Sequence, residues 1–169
     1  VIPQPRVIKV YIWELLITGE SIIILKRKSS EKERFASTLF QESIKQITGI
    51  IIPIRRVSQI DEHQRSIILT SSKITEEVIE GLKTDRNLTN DLKEEGYVLS
   101  IDDKKAIVAA NDSHGLFYGV QTLTQLIRKE NRRFVIPGVE IKDYPVFKYR
   151  GIMQDISRGQ VLTMDSFKE

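Results

Sequence analysis

A chain of 169 residues, 40% of them hydrophobic, is the length of one ordinary domain and can bury a sizeable core. Its 26 basic and 23 acidic residues leave a net charge of only +3, and the short clusters Lys26-Arg27-Lys28 and Arg132-Arg133 have no aromatic residues among them, which argues against a nucleic-acid surface. There are no cysteines, so disulfides, thiolate metal sites and a cysteine nucleophile are excluded; no apolar run reaches membrane-spanning length, and Val1-Ile-Pro-Gln-Pro5 is not a signal peptide.

Pro3 and Pro5 hold the first residues extended. Val7 to Tyr11 alternates apolar and polar as a strand does, and Ile22 to Leu25 follows the turn-like Thr18-Gly19-Glu20 as a second strand. Trp13 sits in an apolar run and is expected in the core rather than as a sugar-stacking platform. Ser30 with Glu33 spells a capping box. Phe35, Ala36, Leu39, Phe40, Ile44 and Ile47 then recur at helical spacing as one stripe expected to be buried, and Gly49 is placed to end the helix. Ile50 to Ile54 and Ser66 to Leu69 read as short strands around the polar loop Ser58 to Arg65. Ser72 to Leu92 is charged and weakly periodic, with a short helix expected at Thr75 to Leu82.

Tyr97 to Ile101 and Ala106 to Ala110 form the clearest hairpin, turning at Asp102 to Lys105. A second helix follows, capped by Asn111 or Asp112, with Leu116, Phe117, Val120, Leu123 and Ile127 as its buried face. Gly115 and Gly119 each cost this helix about 1 kcal/mol of propensity relative to alanine, which close approach of helix to sheet would offset. Phe134 to Ile141 is a last strand, broken at Pro137-Gly138. Strands in runs with two long helices argue for an α+β fold, a mostly antiparallel sheet with both helices on one face. The run Asp143 to Arg158 then reads as a linker, a buried strand and a charged residue just past its end, so the sequence looks cut at the start of a second domain.

Two stretches, in this order, resemble glycoside hydrolase family 20, the β-N-acetylhexosaminidases. One is Gly96-Tyr-Val-Leu-Ser-Ile101 with Ala106 to Leu126. The other carries Arg150-Gly151, Asp155, Ser157 and Arg158 in the spacing Arg-Gly-x-x-x-Asp-x-Ser-Arg. The resemblance implies that residues 1–143 are a non-catalytic accessory domain, and that residues 144–169 are a linker, first strand and helix start of a truncated (β/α)8 barrel. Family 84 O-GlcNAc hydrolases share the accessory domain, but a Gly-Phe-Tyr-Gly-like segment follows their Arg-Gly; Asp155-Ile-Ser-Arg158 favours family 20. A stand-alone carbohydrate or protein interaction module is the other alternative.

The resemblance also implies roles. Arg158 would sit past the end of the first barrel strand, where such barrels bind substrate, and its rigid fork of donors suits paired sugar hydroxyls. Asp155 would support it. The acid chemistry belongs to an Asp–Glu pair on a later strand, because family 20 catalysis is substrate-assisted; no catalytic residue is expected in this chain. No metal or cofactor is implied: His63 and His114 lack ligand spacing, and the pairs Glu76-Glu77, Glu94-Glu95 and Asp102-Asp103 do not converge. The partners implied are N-acetylhexosamine-containing glycans, bound by the parent enzyme, and the chain's own catalytic barrel. Tyr118 and Gln121 are expected to pack or to contact that neighbouring domain, and Thr163 to cap a following helix with Asp165 in its first turn. Arg158 is followed by Gly159-Gln-Val-Leu-Thr163 rather than by His and aromatic residues, which marks a divergent branch.

Overall fold

The computed structural model describes residues 1–57, 65–71, 92–151, 153, 163 and 165–166. In chain order the elements are β1 (Val7–Ile17), β2 (Ile22–Lys26), α1 (Glu31–Thr48), β3 (Ile54–Val57), β4 (Ser66–Thr70), β5 (Tyr97–Ile101), β6 (Lys105–Ala110), α2 (Ser113–Gln125), β7 (Arg128–Glu130) and β8 (Arg133–Asp143). Among the described residues one sheet holds every strand in the order β1-β8-β5-β6-β4-β2-β3, with β7 beside β8.

The fold is α+β, but the sheet is mixed where a mostly antiparallel one was expected. β1, β8, β5 and β6 pair antiparallel, whereas β6, β4, β2 and β3 pair parallel. Between β2 and β3 the cause is α1: a helical crossover from β2 brings the chain back in the same direction, as a tight turn cannot. The inner parallel strands are correspondingly apolar on both faces, and all five residues of β4 are buried. One face carries the main core, with Leu25, Phe40, Ile44, Leu69, Leu99, Leu116, Leu123 and Ile141. Ile22, Ile24, Ile68, Ile107 and Ala109 cluster on the other.

The capping box at α1 is complete. Glu33 N–H donates to Ser30 Oγ at 3.2 Å, and Ser30 N–H donates to the Glu33 carboxylate at 2.6 Å. Gly49, at φ 75°, closes the helix in the left-handed region. Ala36, Phe40 and Ile44 are buried, but Phe35 is 63% and Ile47 43% exposed, against expectation. Phe35 lies about 100° round the helix from Ala36, and Ile47 sits in the last turn.

The strands differ from expectation as well. β1 runs on to Ile17. β3 starts at Ile54, not Ile50, because Pro53 has no donor for the ladder. Pro137-Gly138 does not break β8; instead β1 bulges there, with Val10 opposite Val139 but Glu14 opposite Pro137. Trp13 lies in that bulge and is 40% exposed rather than core. Within α2, Leu116, Val120 and Leu123 are buried, whereas Phe117 is half-buried and Ile127 lies past the helix end.

Thr163 accepts the Ser166 N–H at 3.2 Å, as an N-cap does. Tyr149, Arg150, Gly151 and Met153, where a first barrel strand was expected, carry no strand. The helix expected at Thr75 to Leu82 lies outside the described residues.

Candidate functional site: the joint where the chain leaves the sheet

Asp155 and Arg158 lie outside the described residues, as does His63. Among the described residues no group of three or more His, Asp or Glu is placed to hold a metal. An open cleft of about 390 Å³ between α1 and the β2–β3 edge is lined by Leu25, Arg34, Ser37, Thr38, Ile54 and Arg56, with no carboxylate among these to act as acid or base. What the fold does assemble is a polar joint at the start of α2, gathering segments far apart in sequence.

Its base is Asp112. One carboxylate oxygen accepts the N–H groups of His114 and Gly115, both at 2.9 Å, and caps α2. The other accepts the Glu95 N–H at 2.7 Å. That bond helps hold Glu95 at φ 59°, a left-handed conformation unfavourable for a residue with a Cβ. Gly115 makes the contact possible: a Cβ there would lie 2.4 Å from Gly96 O. Gly119 likewise presses on Val108, where a Cβ would meet a methyl carbon at 2.4 Å. Gly115 sits where the helix nearly touches the backbone just before β5, and Gly119 where it presses on the side chains of Val108 and Tyr97.

This joint receives Arg150. The guanidinium donates to the Glu95 carboxylate, to the Tyr118 hydroxyl at 3.0 Å and to Phe147 O at 2.5 Å. It also lies 5.6 Å from the centre of the Tyr118 ring. Hydrogen bonds to Glu95, and then to Tyr118, push its pKa above the ordinary arginine value. Beside it, Lys148 and Glu94 approach to 3.6 Å. The N-terminal segment is tied into the same end. Arg6 donates from its backbone to Asp143 at 3.3 Å and from its side chain to Tyr144 O at 3.2 Å. Its guanidinium and the Lys93 ammonium both lie against the Tyr144 ring, at 4.2 and 4.8 Å. Gln125 exchanges two hydrogen bonds with Ile2, at 2.8 and 3.1 Å.

Each carboxylate in the joint faces a cation, caps a helix or, as Asp143 does, accepts a backbone N–H, so the arrangement suits orientation rather than proton transfer. Tyr118, expected from the sequence to pack or to touch a neighbouring domain, is one receptor for Arg150. Glu95 was missed. It stands 55 residues from Arg150, and no local pattern links the two.

Residues 1–144 match the family model described as glycosyl hydrolase family 20, domain 2. A β-hexosaminidase of Porphyromonas gingivalis is 42% identical over 85 residues, 46% of this chain and 11% of that protein. The GH20 β-N-acetylhexosaminidase of Streptomyces coelicolor A3(2) superposes with a TM-score of 0.71 at 23% identity, over 94% of this chain and 29% of that one. CpGH84B superposes at 0.64 with 27% identity, over 89% of this chain and 23% of that one. The chain thus spans about a tenth of the length of the first relative and under a third of each of the two structures.

Proposed function

The chain belongs to glycosyl hydrolase family 20, whose domain 2 it matches over residues 1–144, and from that we propose that it is the non-catalytic accessory part of a β-N-acetylhexosaminidase-like enzyme. The parent removes terminal β-linked GlcNAc or GalNAc by substrate-assisted retaining hydrolysis. Residues 1–143 are the accessory domain; residues 144–169 are the linker and the segment that becomes the first strand and first helix start once the rest of a catalytic barrel is present to pair with it. Arg158 binds hydroxyls of the terminal sugar, Asp155 supports it, and the catalytic Asp–Glu pair lies on a later strand, so this chain alone is inactive.

The observation that carries the docking side of this reading is the Arg150 joint. It pins the outgoing chain to Tyr118 of α2, on the side of the sheet that bears both helices. That side also has exposed apolar residues in need of a partner: Phe35 and Ile47 on α1, and Val10 on β1, whose pairing with Val139 puts it on the helix side. The barrel covers them.

The likeness to CpGH84B supports a second reading, an accessory domain of an O-GlcNAc hydrolase-like enzyme; the Asp155-Ile-Ser-Arg158 run favours the first. One experiment tests the proposal. This chain and a protein extended past Glu169 by its native sequence are assayed on an aryl β-N-acetylglucosaminide. Hydrolysis by the extended protein only is expected, with Arg158→Ala lowering kcat/KM by about 100-fold or more through lost charge-assisted hydrogen bonds. Hydrolysis by the short chain contradicts the proposal, and so does an extended protein that folds but cleaves no N-acetylhexosaminide.

A further inference from the structure

The bulge in β1 passes three residues, Tyr11, Ile12 and Trp13, across the single residue Gly138 of β8. Two of them become a fixed aromatic pair. The Tyr11 and Trp13 rings stack with centroids 4.4 Å apart and planes 10° from parallel. The Trp13 indole N–H reaches over β8 and donates to Ile101 O at 3.0 Å. A Cβ on Gly138 would fall 2.3 Å from the indole ring, so glycine is what leaves the ring its place. Tyr11 in turn donates to Glu140, and burial followed by this bond raises its pKa. Glu140 is buried, and its carboxylate lies 3.8 Å from the Lys9 ammonium, whose side chain is half exposed.

The pair lies on the sheet face away from the helices. Val139 and Ile141 belong to the helix-side core, so Glu140 between them points the other way, with Lys9 opposite it and Tyr11 bonded to it. The barrel proposed above would dock on the helix side and leave this pair open.

We propose that Tyr11 and Trp13 form a carbohydrate-stacking site taking β-linked N-acetylhexosamine oligomers, a ligand class that rests on the parent activity proposed above. The two rings cover each other's facing surfaces, so the surface left for the C–H face of a pyranose ring is the outer, solvent-facing part of the stack, where Trp13 is 40% exposed. The Lys9 ammonium beside it, with three donors, bonds sugar hydroxyls or the acetamido oxygen. Ring orientation is already fixed by the indole hydrogen bond and the Gly138 contact, so binding costs little further side-chain entropy. Another strand adding to this edge is the rival occupant. The opposite edge, β3, discourages such pairing with Arg55 and Arg56, whereas β1 presents Ile12 fully exposed. The stacked rings and Lys9 lie on the sheet face rather than along its backbone edge, which favours the sugar.

Trp13 is the only tryptophan, so its emission reports on the site alone. Titration of this chain with N-acetylchitotriose should shift that emission saturably. Lys9→Ala should weaken binding about fivefold, the loss of one hydrogen bond, while Arg55→Ala on the far edge leaves it unchanged. A folded chain with no emission shift and no calorimetric heat at millimolar sugar overturns the site. An emission shift that follows protein concentration without sugar, with a doubled mass, also overturns it and assigns the edge to a second copy. Because the titration needs no hydrolysis, its failure is distinct from that of the parent activity: hydrolysis without binding sinks only this site, and binding without hydrolysis sinks only the activity.

Discussion

At Gly115 a missing methyl group sets how close α2 approaches β5. An alanine there would gain about 1 kcal/mol of helix propensity, yet its Cβ would sit 2.4 Å from a backbone oxygen that cannot swing aside. Gly115→Ala should therefore destabilise the domain by about 1–3 kcal/mol in chemical denaturation; a stabilised variant would contradict the close approach. Glu33 is the second decisive residue, because besides the Ser30 N–H it accepts the Ser71 N–H at 2.9 Å and so ties α1 to the end of β4. Burial works to raise its pKa, but the bonds from Ser30 and Ser71 prevail and lower it. A lowered folded value adds stability above the unfolded pKa that is lost as pH falls through the folded one. Glu33→Gln should cost about 1–3 kcal/mol at neutral pH and flatten the acid side of the stability profile. Tyr97 acts at the other extreme. Burial pushes its hydroxyl, bonded to Thr122 at 2.6 Å, from 10.0 up to about 12. Its contribution is whole below pH 10 and disappears as pH rises to about 12. In a pH series of melting curves, Tyr97→Phe should remove that alkaline loss. Gly115 and Glu33 were legible in the sequence because helix spacing and the capping box are local. Glu95 was not, because its role depends on a guanidinium that only the tertiary fold brings to it.

Among the elements, the hairpin of β5 and β6 and both helix starts were readable for the same reason: turn and cap chemistry act within four residues. Asp102, for example, accepts the N–H groups of both Lys104 and Lys105 at 2.7 Å to close its turn. The strand partners were not readable. The parallel pairing of β2 with β3 depends on where a crossover helix sets the chain down, which no local pattern encodes. The apolar stripe on α1 is buried only in part. Phe35 and Ile47 are apolar at helical spacing, yet the described fold leaves them exposed, as residues reserved for a further layer would be. Replacing both by serine should change the stability of this chain by no more than about 0.5 kcal/mol while reducing its self-association in sedimentation. A large loss of stability would show that these side chains serve this domain's own core.

At the scale of the whole molecule, the two faces of the sheet divide the work. The helix side receives the outgoing chain through Arg150, Glu95 and Tyr118 and keeps apolar side chains uncovered; the other face holds the Tyr11–Trp13 stack. Hydroxyl-radical footprinting of this chain beside the extended protein would probe that division, since it reads side-chain exposure one residue at a time. Phe35 should lose most of its labelling in the extended protein while Tyr11 and Trp13 keep theirs. Protection of Tyr11 and Trp13, with Phe35 unchanged, would place the catalytic domain on the wrong face and contradict that division.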